Sequence, residues 1–277
     1  IKDKKRGTRR ERLHDLDLTP QQRTLLQGLV ARKRAKEAEA KRLEQSAELL
    51  RNSLFDRQLV FFENPRRKKL ARCSRRAGKT HLAAAILLDA AVKFPGSLVP
   101  YVTLSMKNAR RILWTTLHQM DMEFGFNLEF RANDLTATLS NGSQIILAGA
   151  TDLEEIQKLR GPKYGAVVID EVQSMRTSVC RTLVADILEP ATMDYDGQIC
   201  AFFTPSASAS GYAFDIDHEE RAWEKFHWTM MENPHLPKAS EWLEQRKLEN
   251  GWRDDTPVYR REYLGEWIHD EETLVYA

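Results

Sequence analysis

Apolar and polar positions follow two rhythms along this chain. Up to about residue 55, apolar residues fall at helical spacing. Leu25, Leu26, Leu29 and Val30 form one stripe, and Leu43, Ala47, Leu50 and Leu54 another. Thr19 is placed to cap this helix, Pro20 suits the first helical position, and Gln22 completes a capping box. Between the stripes, residues 31–42 are polar on nearly every side. Lys33, Glu37 and Lys41 form a charge ladder there, worth a few tenths of a kcal/mol per pair. That segment reads as a solvated helix, or as an arm that touches DNA or a neighbouring subunit. From residue 66 the rhythm changes to short apolar runs, which predict strands over 69–74, 99–105, 144–148, 166–170 and 199–204. Helical patterns over 79–93, 106–124 and 177–188 alternate with them, and 137–148 reads as a hairpin broken at Asn141-Gly142. Strands alternating with helices predict an α/β sandwich around a mainly parallel sheet.

Composition narrows the class. The 277 residues, 42% hydrophobic and 30% charged, suit a folded domain with a sizeable core and exclude a disordered chain or a collagen. The longest apolar run, 82–92, is interrupted by Asp89 and is about half the length of a membrane span. The first 15 residues are too charged for a signal peptide. Cys73, Cys180 and Cys200 form no CxxC pair, which argues against zinc and for a reducing, intracellular setting. The net charge of +2 hides a split: residues 1–51 carry 15 Lys and Arg against 8 Asp and Glu, the remainder 27 against 32. The basic stretch Lys2 to Arg12 is expected to be mobile. A first residue that is not Met suggests a fragment or a processed chain.

The chemistry concentrates in two places. Cys73-Ser74-Arg75-Arg76-Ala77-Gly78-Lys79-Thr80 lies between a predicted strand and a predicted helix. It fits the phosphate-loop pattern GxxxxGK[ST] except that Cys73 replaces the first glycine. Loop N–H groups from Ser74 to Gly78 would hold phosphate oxygens, Lys79 would reach the β- and γ-phosphates, and the Thr80 hydroxyl would ligate Mg²⁺. The apolar strand 166–170 ends in Asp170-Glu171. Asp170 would hold Mg²⁺ through water, and Glu171 would orient or deprotonate an attacking water. Gln58, some twenty residues before the loop, is either an adenine-binding amide or a helix-surface residue.

In this order the motifs resemble the ATPase domain of large terminase subunits, the DNA-packaging motors of tailed phages. The resemblance covers roughly residues 50–277. It rests on the Arg-bearing phosphate loop, Gln58, Leu159-Arg160-Gly161, Phe202-Phe203-Thr204-Pro205-Ser206, Glu232-Asn233-Pro234-His235-Leu236 and Arg261-Glu262-Tyr263-Leu264-Gly265-Glu266-Trp267. It implies an ASCE-type P-loop fold with an N-terminal helical arm (1–50), an ATPase domain (51–265) and a lid region at about 207–265. Residues 266–277 would then lead toward a nuclease domain that this chain lacks, with Asp270, Glu271 and Glu272 in a solvated turn. The resemblance also implies that Arg75 reaches the γ-phosphate and that Thr204 senses it and couples hydrolysis to DNA movement. Asn233 matches a recurrent Asn-Pro of the lid. A neighbouring subunit's arginine would complete the site, with Arg131 and Arg160 the leading candidates, Arg110 and Arg111 weaker ones, and a surface role the alternative for each.

The resulting expectation is a Mg-dependent ATPase that moves double-stranded DNA without regard to sequence. Its partners would be the portal protein and the small terminase subunit, in a ring on the procapsid. Alone the chain would be a monomer or weak oligomer, with no membrane partner, in the host cytoplasm and absent from the mature virion. Two alternatives stand beside it, a helicase-like nucleic-acid-dependent ATPase and a nucleotide-binding DNA adaptor.

Overall fold

The structure, a computed structural model, describes residues 19–268. The basic stretch Lys2 to Arg12 and the acidic triplet Asp270 to Glu272 lie outside the described residues. The chain divides into two compact units, Ile1–Arg42 and Leu43–Ala277. In the first unit the expected capping box forms: Thr19 N–H donates to Gln22 Oε1 at 2.9 Å, and Gln22 N–H to Thr19 Oγ1 at 3.3 Å. The helix it starts, α1, runs Pro20–Asn52 as one element. Lys33 and Glu37 pair at 3.8 Å on its exposed surface.

The second unit is built on an eight-stranded sheet. Its strands are β1 (Lys68–Cys73), β2 (Leu98–Thr103), β3 (Glu129–Arg131), β4 (Thr136–Thr138), β5 (Gln144–Gly149), β6 (Ala166–Asp170), β7 (Gln198–Phe203) and β8 (Glu224–Trp228). Their order is β3-β4-β5-β2-β6-β7-β1-β8. All neighbours run parallel except β3–β4 and β4–β5. The hairpin expected around Asn141-Gly142 is the β4–β5 turn, where Gly142 takes φ 87°, a left-handed value that suits glycine.

Period-two alternation sorts the strands' side chains into two cores. Cys200 and Phe202 of β7 and Val168 of β6 join one, with helices α2 (Asp56–Glu63) and α3 (Lys79–Lys93). Ile199, Ala201 and Phe203, with Val167 and Ile169, join the other, against residues such as Leu183, Ile187 and Ile216. Central strands covered on both faces read as unbroken apolar runs, which is why the sequence showed them. The helical segment 106–124 is continuous, but its middle, Arg110–Trp114, is a π-helical turn.

This order sets β6, β7 and β1 side by side. Ligands of open parallel sheets bind outside the strands' carboxyl ends. Asp170 ends β6, Thr204 follows β7, and the phosphate loop follows β1.

Candidate active site

A cavity of about 920 Å³ opens over those three strand ends. Of the residues expected from the sequence, Arg75, Arg76, Ala77, Gly78, Lys79, Thr80, Glu171 and Thr204 line it together. Lys79 Nζ donates to Ser74 O at 2.9 Å and to Thr204 Oγ1 at 2.8 Å, so one ammonium ties the phosphate loop to the end of β7. The N–H groups of Arg76, Ala77 and Gly78 have no protein acceptor among the described residues. Together with the start of α3 they form an anion-ready concavity.

The carbonyls of the same loop are engaged from behind. Asn233 Nδ2 donates to Arg76 O at 2.9 Å, Trp228 Nε1 to Ala77 O at 2.8 Å, and Gln58 Nε2 to Gly78 O at 2.9 Å. Ser74 is buried behind the cavity, where its Oγ accepts from Met230 N–H at 2.8 Å. Gln58 is 2% exposed, so it is neither on a helix surface nor among the cavity's lining. Its amide braces the loop instead. Both Arg76 (φ 61°) and Glu171 (φ 57°) take left-handed backbone, which costs a non-glycine residue about 1–2 kcal/mol. Such outliers cluster where geometry serves chemistry.

Asp170 lies beneath the cavity wall, 2% exposed. Its Oδ2 accepts from the buried Tyr101 hydroxyl at 2.7 Å and its Oδ1 from Glu171 N–H at 2.9 Å. Burial, and then the charge of Glu171, push its carboxyl up to about 6. A carboxylate so short of positive charge suits a divalent cation nearby. Among the described residues no cluster of His, Cys, Asp and Glu could cage a metal. Magnesium at such a site takes its remaining ligands from phosphates and water. Thr80 and Asp170 therefore fit the group that the sequence implied.

Arg75 is not free to meet a phosphate in this conformation. Its guanidinium pairs with Glu262, on the helix Pro257–Leu264, and its N–H donates to Glu262 O at 2.8 Å. Glu262 also pairs with Arg261 at 3.3 Å.

The comparisons with known proteins decide the family. A family model described as terminase large subunit, T4likevirus-type, N-terminal, matches residues 71–275. The chain belongs to this family. None of the curated proteins matches it in sequence. Among solved structures, the large terminase ATPase domain of Thermus phage P74-26 is 18% identical with a TM-score of 0.56, covering 78% of this chain and 94% of that one. The large terminase of a thermophilic bacteriophage is 21% identical with a TM-score of 0.62, covering 77% of this chain and 53% of that one. The HK97 bacteriophage large terminase is 14% identical with a TM-score of 0.58, covering 77% and 50%. These likenesses show the fold, and the chain spans about half the length of the latter two. The thermophilic phage's terminase has also been solved with ADP and with ATP-gamma-S.

Within this terminase domain, the leading trans-arginine candidates lie away from the chain's own cavity. Arg131 sits on β3 and pairs with Glu129 at 3.2 Å, and Arg160 donates to Gln157 Oε1 at 2.9 Å. The weaker candidate Arg111 instead lines the cavity from the π-helical turn, while Arg110 does not. Sequence reasoning missed Trp228, Tyr101 and Gln173. It quoted Glu262 only as part of a motif and left the role of Asn233 open. Tyr101 stands in an apolar run and Trp228 at the end of a mixed edge strand, and neither pattern signals that an O–H or N–H serves a site.

Proposed function

We propose that this domain hydrolyses ATP and that the energy drives double-stranded viral DNA into a procapsid. The observation that carries the reading is the junction of Lys79 with Ser74 and Thr204, set beside Asp170-Glu171 at adjacent strand ends. The nucleotide-bound terminase of the thermophilic phage supports ATP as the ligand.

On binding, Lys79 leaves Thr204 for the β- and γ-phosphate oxygens, and Arg76 to Gly78 turn their free N–H groups to the same anion. Magnesium would be held by Thr80 and, through water, by Asp170, and it would supply charge neutralisation on the phosphates. Glu171 accepts a proton from water as its oxygen attacks the γ-phosphorus. The bond from that phosphorus to the β-bridging oxygen breaks, leaving ADP and phosphate. Lys79 and a released Arg75 stabilise the charge on the transferring group, with catalysis resting on positioning and electrostatics. Thr204, freed from Lys79, reports the γ-phosphate to β7. The lid region 207–265 touches the loop through Trp228, Asn233 and Glu262, and would relay the change to a DNA-gripping surface. DNA would be held through its phosphates, because packaging must ignore sequence.

The motor would work as a ring on the portal in the host cytoplasm, with the small terminase subunit delivering DNA. Arg131 or Arg160 would enter the neighbour's site. The parent protein would also carry an endonuclease.

Replacing Lys79 by Ala tests the site. The wild-type melting temperature is expected to rise with magnesium and ATP-gamma-S, and the variant's to stay flat. An equal rise in both would overturn the assignment. ATPase rate that climbs steeply with protein concentration would support a shared site, and a constant specific rate would refute it.

A further inference from the structure

The turn after β6 holds a polar side chain that the proposed reaction does not yet use. Gln173 lies in the single 3-10 turn Val172–Ser174 that follows Glu171. Its Nε2 donates to Glu171 Oε2 at 2.5 Å. Its Oε1 is buried and has no hydrogen-bond partner among the described residues. Gln173 and Glu171 both line the cavity that contains Lys79 and Thr204.

The chemistry of the pair fixes how the amide faces. A carboxylate only accepts, so the amide nitrogen must meet it and the amide oxygen must point elsewhere. That oxygen then lacks a donor, and a buried acceptor without one costs about 1–3 kcal/mol. Among the described residues no donor reaches it, and being buried it meets no water in this conformation, so a donor completes it only when loading shifts the site. The backbone supports the same reading. Glu171 is turned into the left-handed region, and two residues later the 3-10 turn brings Gln173 back beside its carboxylate. One Glu171 oxygen is thereby tied down, and the other is left for the proton of the attacking water.

The geometry points to Gln173 as the positioning residue of hydrolysis. It holds Glu171 in the orientation that receives the water's proton, and its Oε1 accepts the water's second hydrogen as the site closes. The amide itself gains and loses no proton. The water oxygen bonds to the γ-phosphorus, Glu171 keeps the proton, and the β-bridging oxygen leaves with the bond's electrons. Two acceptors set at an angle fix a water's lone pair in line with the leaving oxygen, which one mobile carboxylate cannot do. The inference rests on the ATPase reading above and adds a residue that the reading does not need.

The test uses the full-length chain at a concentration where its ATPase rate per subunit has levelled off. Gln173→Met keeps length and shape but removes both donor and acceptor. Gln173→Glu keeps an acceptor and sets a like charge against Glu171. Both are expected to lower kcat about tenfold or more, with the affinity for magnesium and ATP-gamma-S within about twofold of wild type, and the Met variant, relieved of its unpaired buried oxygen, is expected to melt no lower than wild type. Unchanged kcat in the Met variant would overturn the inference. So would a fall in kcat that comes only with lost analogue binding or lost stability, since that marks a structural glutamine. The Lys79→Ala arm separates the two ideas. If that variant still binds the analogue, the ATPase site itself is misplaced. If it loses binding while Gln173→Met turns over normally, only the role of Gln173 fails.

Discussion

Asn233→Ala isolates one brace of the phosphate loop. Asn233 Nδ2 donates to Arg76 O, and Arg76 holds a left-handed φ of 61°. A net hydrogen bond is worth about 0.5–1.5 kcal/mol, and this one is at the exposed edge of the site, so about 1 kcal/mol is a fair share. The left-handed turn costs a similar amount, about 1–2 kcal/mol. Without the brace the loop relaxes, and nucleotide binding must restore the turn from its own free energy. A loss of about 1 kcal/mol corresponds to about fivefold weaker affinity. The readout is a titration with a fluorescent ATP analogue at fixed salt. Asn233 Oδ1 also accepts from His235 N–H at 3.1 Å, so Asn233→Asp keeps that acceptor while losing the donor. The Asp variant should bind as weakly as the Ala variant, or more weakly. In an Arg76→Gly background, where the turn carries no side-chain penalty, the effect of Asn233→Ala should shrink below about twofold. Affinity within twofold of wild type in both Asn233 variants, or an intact Asp variant beside a weak Ala variant, would refute the brace.

Glu262→Gln should release Arg75 and tighten nucleotide binding by about two- to fivefold at low salt, with less gain at high salt, because an exposed pair is worth under about 1 kcal/mol. Equal affinities at both salts would show that Arg75 is not withheld. Asp170 carries a folded pKa of about 6, above its unfolded value, so the folded state holds the extra proton between them. Its contribution to stability is full below about pH 4 and is lost as pH rises through 6, on the order of 3 kcal/mol in all. Asp170→Asn should therefore raise the melting temperature more at pH 8 than at pH 4 without metal, and an equal shift at both would count against it. Gly265→Ala should cost at least about 1 kcal/mol in chemical denaturation, since Gly265 has φ 66° and a Cβ would lie 3.2 Å from Ser74 N. No loss would mean that the strand end yields easily.

The sequence revealed what periodicity and composition carry. Four of the five strands read from the sequence, β1, β2, β6 and β7, were legible because both of their faces are largely buried, β5 because its half-buried face is also mostly apolar, and Asp170-Glu171 because acids rarely end such a run. Strand β8 was not, because Glu224–Trp228 alternates exposed and buried side chains at a sheet edge and mixes Glu, Lys and His with its aromatics. At three residues β3 is too short for any period to show. The π-helical turn that carries Arg111 has no signature in a helical stripe. The braces on the phosphate loop were illegible for a different reason. Gln58, Trp228 and Asn233 act on backbone carbonyls that lie 20, 151 and 157 residues away, and which carbonyl a side chain meets depends on the folded path between them rather than on any local pattern.

The missing first glycine of the phosphate loop shows the same dependence. Cys73 is the last residue of β1, paired in register with Trp228 and fully buried. Its backbone is strand, and positive φ in the loop falls only at Arg76 and Gly78. No conformational demand for glycine exists at position 73. A side chain there is tolerated because it enters the core, and burial pushes the Cys73 thiol up to about 12, so it stays protonated and acts as a small apolar filler. The close approach that needs a glycine is met from the other side. Gly265, at the end of the helix Pro257–Leu264, would place a Cβ 3.2 Å from Ser74 N and 3.3 Å from the Cys73 carbonyl carbon. The same helix carries Glu262 against Arg75. The glycine that lets a backbone approach the loop thus belongs to the segment that holds Arg75, so in the proposed reaction the access of that arginine to phosphate would depend on the seating of this helix on the loop.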